Sequence, residues 1–285
     1  MPSNLTQRIL FAAVAIPLAL LVVYVGGWVM VALVSLAAAL GARELYAFAR
    51  RQGIEPLETT GLLSAAALPA LTYLNVDRTA ALAEWGWFLG GLWMVAVLAI
   101  ALWRRTPTER PFAATAATAF GVLYPAGLAS FLIPIRHARY DTFSWAGAWL
   151  VFFPLVITWV CDTAAMFAGR AIGGPKLWPA ISPGKTWAGS IAGVAGAVII
   201  VPVLNRLVLE RLGVALPLGE GLLFGAVLGV VGQVGDLAES LYKREIGVKD
   251  SSSLIPGHGG VLDRFDSLYF VLPVSAAMYR LFGVI

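Results

Sequence analysis

Between Ser240 and Asp266 an otherwise oily chain turns polar, and the residue types gathered there are those that handle phosphate and metal ions. Lys243, Arg244, Lys249 and Arg264 supply cationic donors, Asp250, Asp263 and Asp266 supply carboxylates, and Gly257, Gly259 and Gly260 let backbone come close to a ligand. Cations grip phosphate oxygens through charge-assisted hydrogen bonds, and carboxylates hold hard divalent ions. The combination points to metal-assisted phosphate chemistry. His258 has no second histidine nearby and reads as a hydrogen-bonding or loop-ordering group rather than a ligand.

A second polar cluster runs from Gly169 to Gly189. Its Gly184-Lys185-Thr186 looks like the end of a P-loop, but Pro179 stands where that pattern needs a glycine, and no preceding strand is expected. What survives is simpler. Ser182, Lys185 and Thr186 sit where a helix begins, and free N–H groups with a lysine and hydroxyls suit an anion. The plainer alternative is a lysine at the membrane surface with no ligand.

Three carboxylates fall inside apolar stretches, Asp162, Asp236 and Glu239, where a charge costs about 2.5 to 3.5 kcal/mol on insertion scales. Gly229, Gly232, Gln233, Asp236, Ser240 and Lys243 recur at spacings of three and four, which puts them on one helix stripe. If the helix carrying Asp263 packs antiparallel to that stripe, Asp236 and Asp263 converge, and two carboxylates beside phosphates are what Mg²⁺ needs. The alternative for Asp236 is a buried salt bridge with a lysine or arginine. Glu239 and Lys243, four apart, read as such a pair.

The elements that must position these groups are membrane helices. Of 285 residues 59% are hydrophobic and 13% charged, about half the charged share of a soluble domain, where it is roughly 25%. Windows of about 20 residues pick out apolar stretches at 5–25, 28–49, 60–76, 85–103, 112–133, 146–168, 187–208, 219–242 and 262–282. The fold class expected is an all-α integral membrane protein, polytopic with about nine transmembrane helices, in one transmembrane domain over 1–285. The third stretch is the weakest, because Pro69 interrupts it. The apolar run after Arg8 reads as the first helix rather than a signal peptide, since many like it follow and no cleavage pattern ends it.

Placing the N-terminus and the loops after even-numbered helices together leaves only Arg78, Arg136, Arg139, Arg206, Arg211 and Arg280 of the 20 basic residues on the other side. The positive-inside bias then puts the Ser240–Asp266 segment in the cytoplasm, and a bacterial inner membrane suits the chain. The net charge of +4 fits an anionic leaflet and carries no nucleic-acid footprint. Gly86 with Gly90, Gly189 with Gly193, and Gly221, Gly225 and Gly229 are spaced for close helix packing, and Trp28, Trp85, Trp145, Trp149 and Trp178 for interfacial anchoring. The single cysteine, Cys161, leaves neither an internal disulfide nor a cysteine-rich metal module.

The order Ser240, Lys243-Arg244, Lys249-Asp250, Ser252, Ile255-Pro256 and His258-Gly259-Gly260-Val261-x-Asp263-Arg264-Phe265-Asp266 closely resembles the C-terminal pattern of the phosphatidate cytidylyltransferases. Asp162-Thr163-x-Ala165 ending in Gly169-Arg170, and Ser182-Pro183-x-Lys185-Thr186-x-x-Gly189, are similar as well, so the resemblance covers most of residues 160–270. Tyr242 departs from it, standing where an aliphatic residue or phenylalanine is expected.

The resemblance implies transfer of CMP from CTP to phosphatidic acid, giving CDP-diacylglycerol and pyrophosphate, in a membrane homodimer. It implies Mg²⁺ on Asp236 and Asp263, with a monovalent cation such as K⁺ at the same carboxylates. Lys185, Lys243, Arg244, Lys249 and Arg264 become candidates for the triphosphate or the lipid phosphate. Asp250 and Asp266 would orient them, Ser182, Thr186, His258, Gly259 and Gly260 would add nucleotide contacts, and Asp162 would line the same cavity. Residues 1–145 would be scaffold and dimer contact, and 146–285 would carry catalysis. A CTP-dependent lipid kinase and a secondary transporter are the other readings, the first separable by its products and the second by its indifference to CTP.

Overall fold

The computed structural model describes residues 4–76, 81–255, 257 and 259–285, so His258 lies outside the described residues. Each apolar stretch read from the sequence falls on a helical segment. In chain order these are α1 (Asn4–Val25), α2 (Gly27–Arg51), α3 (Glu58–Val76), α4 (Ala81–Arg104), α5 (Pro111–Val122), α6 (Leu132–His137), α7 (Trp145–Ile172), α8 (Trp187–Leu204), α9 (Glu210–Leu212), α10 (Leu218–Glu245) and α11 (Leu262–Leu281). π-helical turns at Leu123–Gly127 and Asn205–Leu209 carry α5 toward α6 and α8 into α9. Among the described residues five of the resulting rods are long and apolar enough to cross a membrane: Gly27–Arg51, Pro111–His137, Trp145–Ile172, Trp187–Leu212 and Leu218–Glu245. Pro69 does not break α3, which runs through it unbroken. Neighbouring helices in such bundles compensate for the lost N–H.

In the C-terminal half α7 packs on α8, α8 on α10 and α10 on α11, while α2 and α3 pair in the N-terminal half. Small residues let these axes approach. A Cβ at Gly225 would come 2.7 Å from the Ala197 carbonyl, and one at Gly193 3.0 Å from that of Cys161. Gly86 and Gly90 depart from the expected packing role, since among the described residues a Cβ at either meets nothing within 4 Å. Aromatic rings fill the wider gaps, with Phe224 stacked between Phe153 and Tyr279 at centroid distances of 5.5 and 4.9 Å. Outward faces stay apolar, as Phe112, Leu102 and Ile199 illustrate.

The loops gather at two ends. At one, Arg105 donates to the Glu55 and Pro56 carbonyls and Arg110 to that of Gln52, tying the connection after α4 to the one after α2. At the other, Arg136 is fully buried and spends its guanidinium on the carbonyls of Val23, Tyr24 and Asp141. Those carbonyls meet a charge without a carboxylate counter-ion, which is how a buried arginine avoids standing unpaired. Gly26, at φ +68, is needed there because a side chain would run into the His137 ring.

Candidate active site

Gly173 and Gly174, both at positive φ, end α7 and turn the chain into a small antiparallel hairpin of β1 (Lys176–Trp178) and β2 (Ser182–Thr186). The sequence argued against a strand here, and that expectation is corrected. Two short extended runs with little burial satisfy each other's backbone without a larger sheet. The hairpin also settles the P-loop question, because Gly184-Lys185-Thr186 lies within β2 rather than in a phosphate-cradling loop. As expected, the segment ends at a helix start: Thr186 caps α8, its hydroxyl accepting from Gly189 N at 3.1 Å. Ser182 opens β2 half-buried.

Lys185 leans from the hairpin to α10, where its Nζ stands 2.7 Å from Asp236 Oδ2. Both side chains are about a third exposed, at 27% and 32%. The ion-pair alternative weighed for Asp236 is therefore realised, with this particular lysine. Ser240, one turn on, reaches Asp236 Oδ1 at 3.3 Å, a weak bond that leaves this carboxylate with unused lone pairs.

Asp263 is engaged more fully. Its Oδ1 accepts from Lys243 Nζ at 2.7 Å, and its Oδ2 accepts from Ser251 N, Ser251 Oγ and Gly260 N, each at 2.8 Å. Lys243 is buried between Asp263 and Glu239, whose Oε1 lies 3.1 Å away in the expected i, i+4 pairing. Glu239 is fully buried and has this one cation beside it among the described residues.

Helices α10 and α11 run antiparallel, as expected, and the register decides which carboxylates meet. The Asp266 carbonyl lies against Gly235, while Asp263 bonds to Lys243. Seven residues of helix, about 10 Å, separate Asp236 from Lys243. Asp236 and Asp263 thus sit at different levels, each neutralised by a lysine. It is Asp266, together with Asp162 on α7, that lies within electrostatic reach of Asp236. No cluster of three or more His, Cys, Asp or Glu side chains able to hold a metal occurs among the described residues.

Arg244 is engaged with the carbonyls of Ile181 and Val248, which fastens the end of α10 to the hairpin. Lys249, Asp250 and Arg264 are exposed at the same end. Gly259 takes φ +81 and pairs its carbonyl with Ile255 N at 2.8 Å, closing the loop so that Gly260 N points at Asp263.

One carboxylate was missed by the sequence reading. Glu44, buried near the end of α2, accepts from Ser252 Oγ at 2.6 Å, Leu262 N and Ser251 Oγ at 2.9 Å, and Val261 N at 3.0 Å. The signal was available, since Glu44 lies inside the 28–49 apolar stretch and is as anomalous there as Asp162 in its own.

The sequence model of the cytidylyltransferase family matches residues 6–282. A phosphatidate cytidylyltransferase of Brucella suis is 37% identical over 293 residues, covering 99% of this chain and 94% of that protein. A Bacillus subtilis protein of the same name is 42% identical over 137 residues, 48% of this chain and 49% of its own length. One from Haemophilus influenzae is 37% identical over 166 residues, 56% and 55% of the two chains.

Proposed function

Because the chain belongs to the cytidylyltransferase family, we propose that it transfers CMP from CTP to phosphatidic acid, giving CDP-diacylglycerol and pyrophosphate for phospholipid synthesis. A phosphate oxygen of the lipid attacks the α-phosphorus of CTP, and the bond from that phosphorus to the bridging oxygen breaks. The nucleophile needs no strong base, because a phosphate monoester with a second pKa of about 6 is already ionised near neutral pH. Catalysis is therefore alignment and charge neutralisation.

The observation that carries this reading is the pair of lysine–carboxylate contacts, Lys185 with Asp236 and Lys243 with Asp263, set at one end of an apolar bundle. A lipid phosphate at the membrane surface and a triphosphate from water can both reach such a place. Lys185 and Lys243 bind phosphate oxygens, Lys249 and Arg264 receive the nucleotide from solvent, and Arg244 holds the hairpin against α10. Asp250 and Asp266 orient the cations, Ser182, Thr186, Gly259 and Gly260 shape the walls, and His258 is a candidate for a nucleotide contact.

Mg²⁺ usually takes one or two carboxylates plus substrate oxygens, and Asp236, part-exposed with lone pairs free, fits that demand. Asp263 would add an oxygen to the ion only if Lys243 left it for a phosphate. When bound, the ion neutralises charge on the leaving pyrophosphate. A monovalent cation such as K⁺ would be held at the same carboxylates.

The same reading gives the chain nine crossings, with the site in the cytoplasm of a bacterial inner membrane. The loops after α2 and α4 meet through Arg105 and Arg110, and the hairpin meets the end of α10 through Arg244, which is what strict alternation requires. Residues 1–145 supply scaffold and the contact of a homodimer, and 146–285 supply chemistry. The test is pyrophosphate release by the purified protein given Mg²⁺ and CTP, with and without phosphatidic acid. Lipid-dependent pyrophosphate with a CDP-lipid supports the assignment. CDP with a phosphorylated alcohol would replace it by a kinase, and indifference to CTP would reopen transport.

A further inference from the structure

We propose that Glu44 is a positioning residue for the transfer reaction: from the N-terminal half of the chain it closes the loop that leads into α11 and thereby sets the Lys243–Asp263 pair. The proposal rests on the cytidylyltransferase reading above and adds a residue to its machinery.

The four donors to Glu44 are not scattered. Two hydroxyls, Ser251 and Ser252, stand where the loop leaves Asp250, and two amides, Val261 and Leu262, stand where it enters α11. One carboxylate thus holds both ends of one loop. Asp263 does the same from inside, taking Ser251 N and Gly260 N on a single oxygen. The Ser251 hydroxyl lies between the two acids, 2.9 Å from Glu44 Oε2 and 2.8 Å from Asp263 Oδ2, and with one proton it donates to one of them at a time.

No lysine or arginine pairs with Glu44 among the described residues, so its charge is met by these donors and by the positive end of the α11 dipole. The site demands an acceptor on both oxygens. A glutamine would turn an NH₂ toward groups that are themselves donors, and an aspartate would fall one methylene short of α11. Either change leaves the apolar packing of α2 intact while releasing the loop. Asp263 and, through it, Lys243 then lose their fixed place.

The experiment compares wild type with Glu44→Gln in detergent by hydrogen exchange and by steady-state kinetics. Faster exchange confined to residues 250–262 is expected, with kcat lowered ~100-fold, the scale of a misplaced reacting group, and KM for phosphatidic acid within about twofold. A merely structural role predicts something else: exchange raised across the bundle, and a fall in activity that tracks the unfolded fraction with unchanged kcat per folded molecule. That result, or wild-type exchange at 250–262, overturns the proposal. Should Glu44→Gln not fold, Ser252→Ala removes one of the donors, and the same local exchange is then expected in milder form, its absence being decisive against the clamp. A wild-type protein that makes no CDP-lipid would sink the activity reading, and the exchange comparison would still decide whether Glu44 holds the loop.

Discussion

Lys243 and Asp263, twenty residues apart and on facing helices, form a buried ion pair at 2.7 Å, whereas Asp236 keeps a part-exposed lysine of its own at the same distance. The two carboxylates that look equivalent in sequence are therefore unequal in the fold. One is a knot, and the other is available.

The first consequence separates them by mutation. Asp236→Asn should lower CDP-lipid formation at least ~100-fold, as for loss of a key electrostatic group, and should lower the thermal midpoint less than Asp263→Asn does, because the Lys185–Asp236 pair is part-exposed at 27% and 32%. Asp263→Asn should cost both activity and stability, since breaking a buried pair costs about 3–5 kcal/mol. Melting curves of both variants, alongside pyrophosphate release, check this; an Asp263→Asn protein as stable as wild type would contradict the assignment.

Gly259 offers a backbone test. At φ +81 an L-residue is strained by roughly 1–2 kcal/mol, and the added Cβ would come 2.5 Å from Asp263 Oδ2. Gly259→Ala is expected to lower the rate with the bundle still folded. Gly247→Ala, also at positive φ but with nothing within 4 Å, should cost stability only. Equal rates in the two variants would remove Gly259 from the site.

Arg136 marks the opposite end. Replacing it with methionine takes the partner from the carbonyls of Val23, Tyr24 and Asp141, and the half-buried Val23 and Tyr24 carry the penalty, at most about 1–3 kcal/mol each. A lower melting midpoint with normal kcat per folded molecule is the expected outcome. A specific loss of kcat would show that the two ends are coupled.

Much of this was legible before any coordinates. Asp162, Asp236 and Glu239 stand out because charge in an apolar stretch is expensive and is retained for a reason, Lys243 and Asp263 because they belong to a polar segment in an oily chain, and Lys185 because it precedes a helix N-terminus. Glu44 was as anomalous by the same rule and was passed over, since nothing near it in sequence resembles a phosphate site. Gly86 and Gly90 carried the right spacing and make no close contact among the described residues, because spacing specifies a face but not what lies opposite it.

The sequence by itself determined the class of the protein, the places of its helices and the segment where charge gathers, because apolarity over about 20 residues and local clustering of charge are properties of neighbours along the chain. Only the tertiary structure decided that Lys185 takes Asp236, that Lys243 takes Asp263, that Asp266 lies within electrostatic reach of Asp236, and that Glu44 reaches across 207 residues to Ser251. Those pairings depend on the register in which separate helices meet, and a shift of one residue, about 100° of helix rotation, would have made different partners of the same side chains.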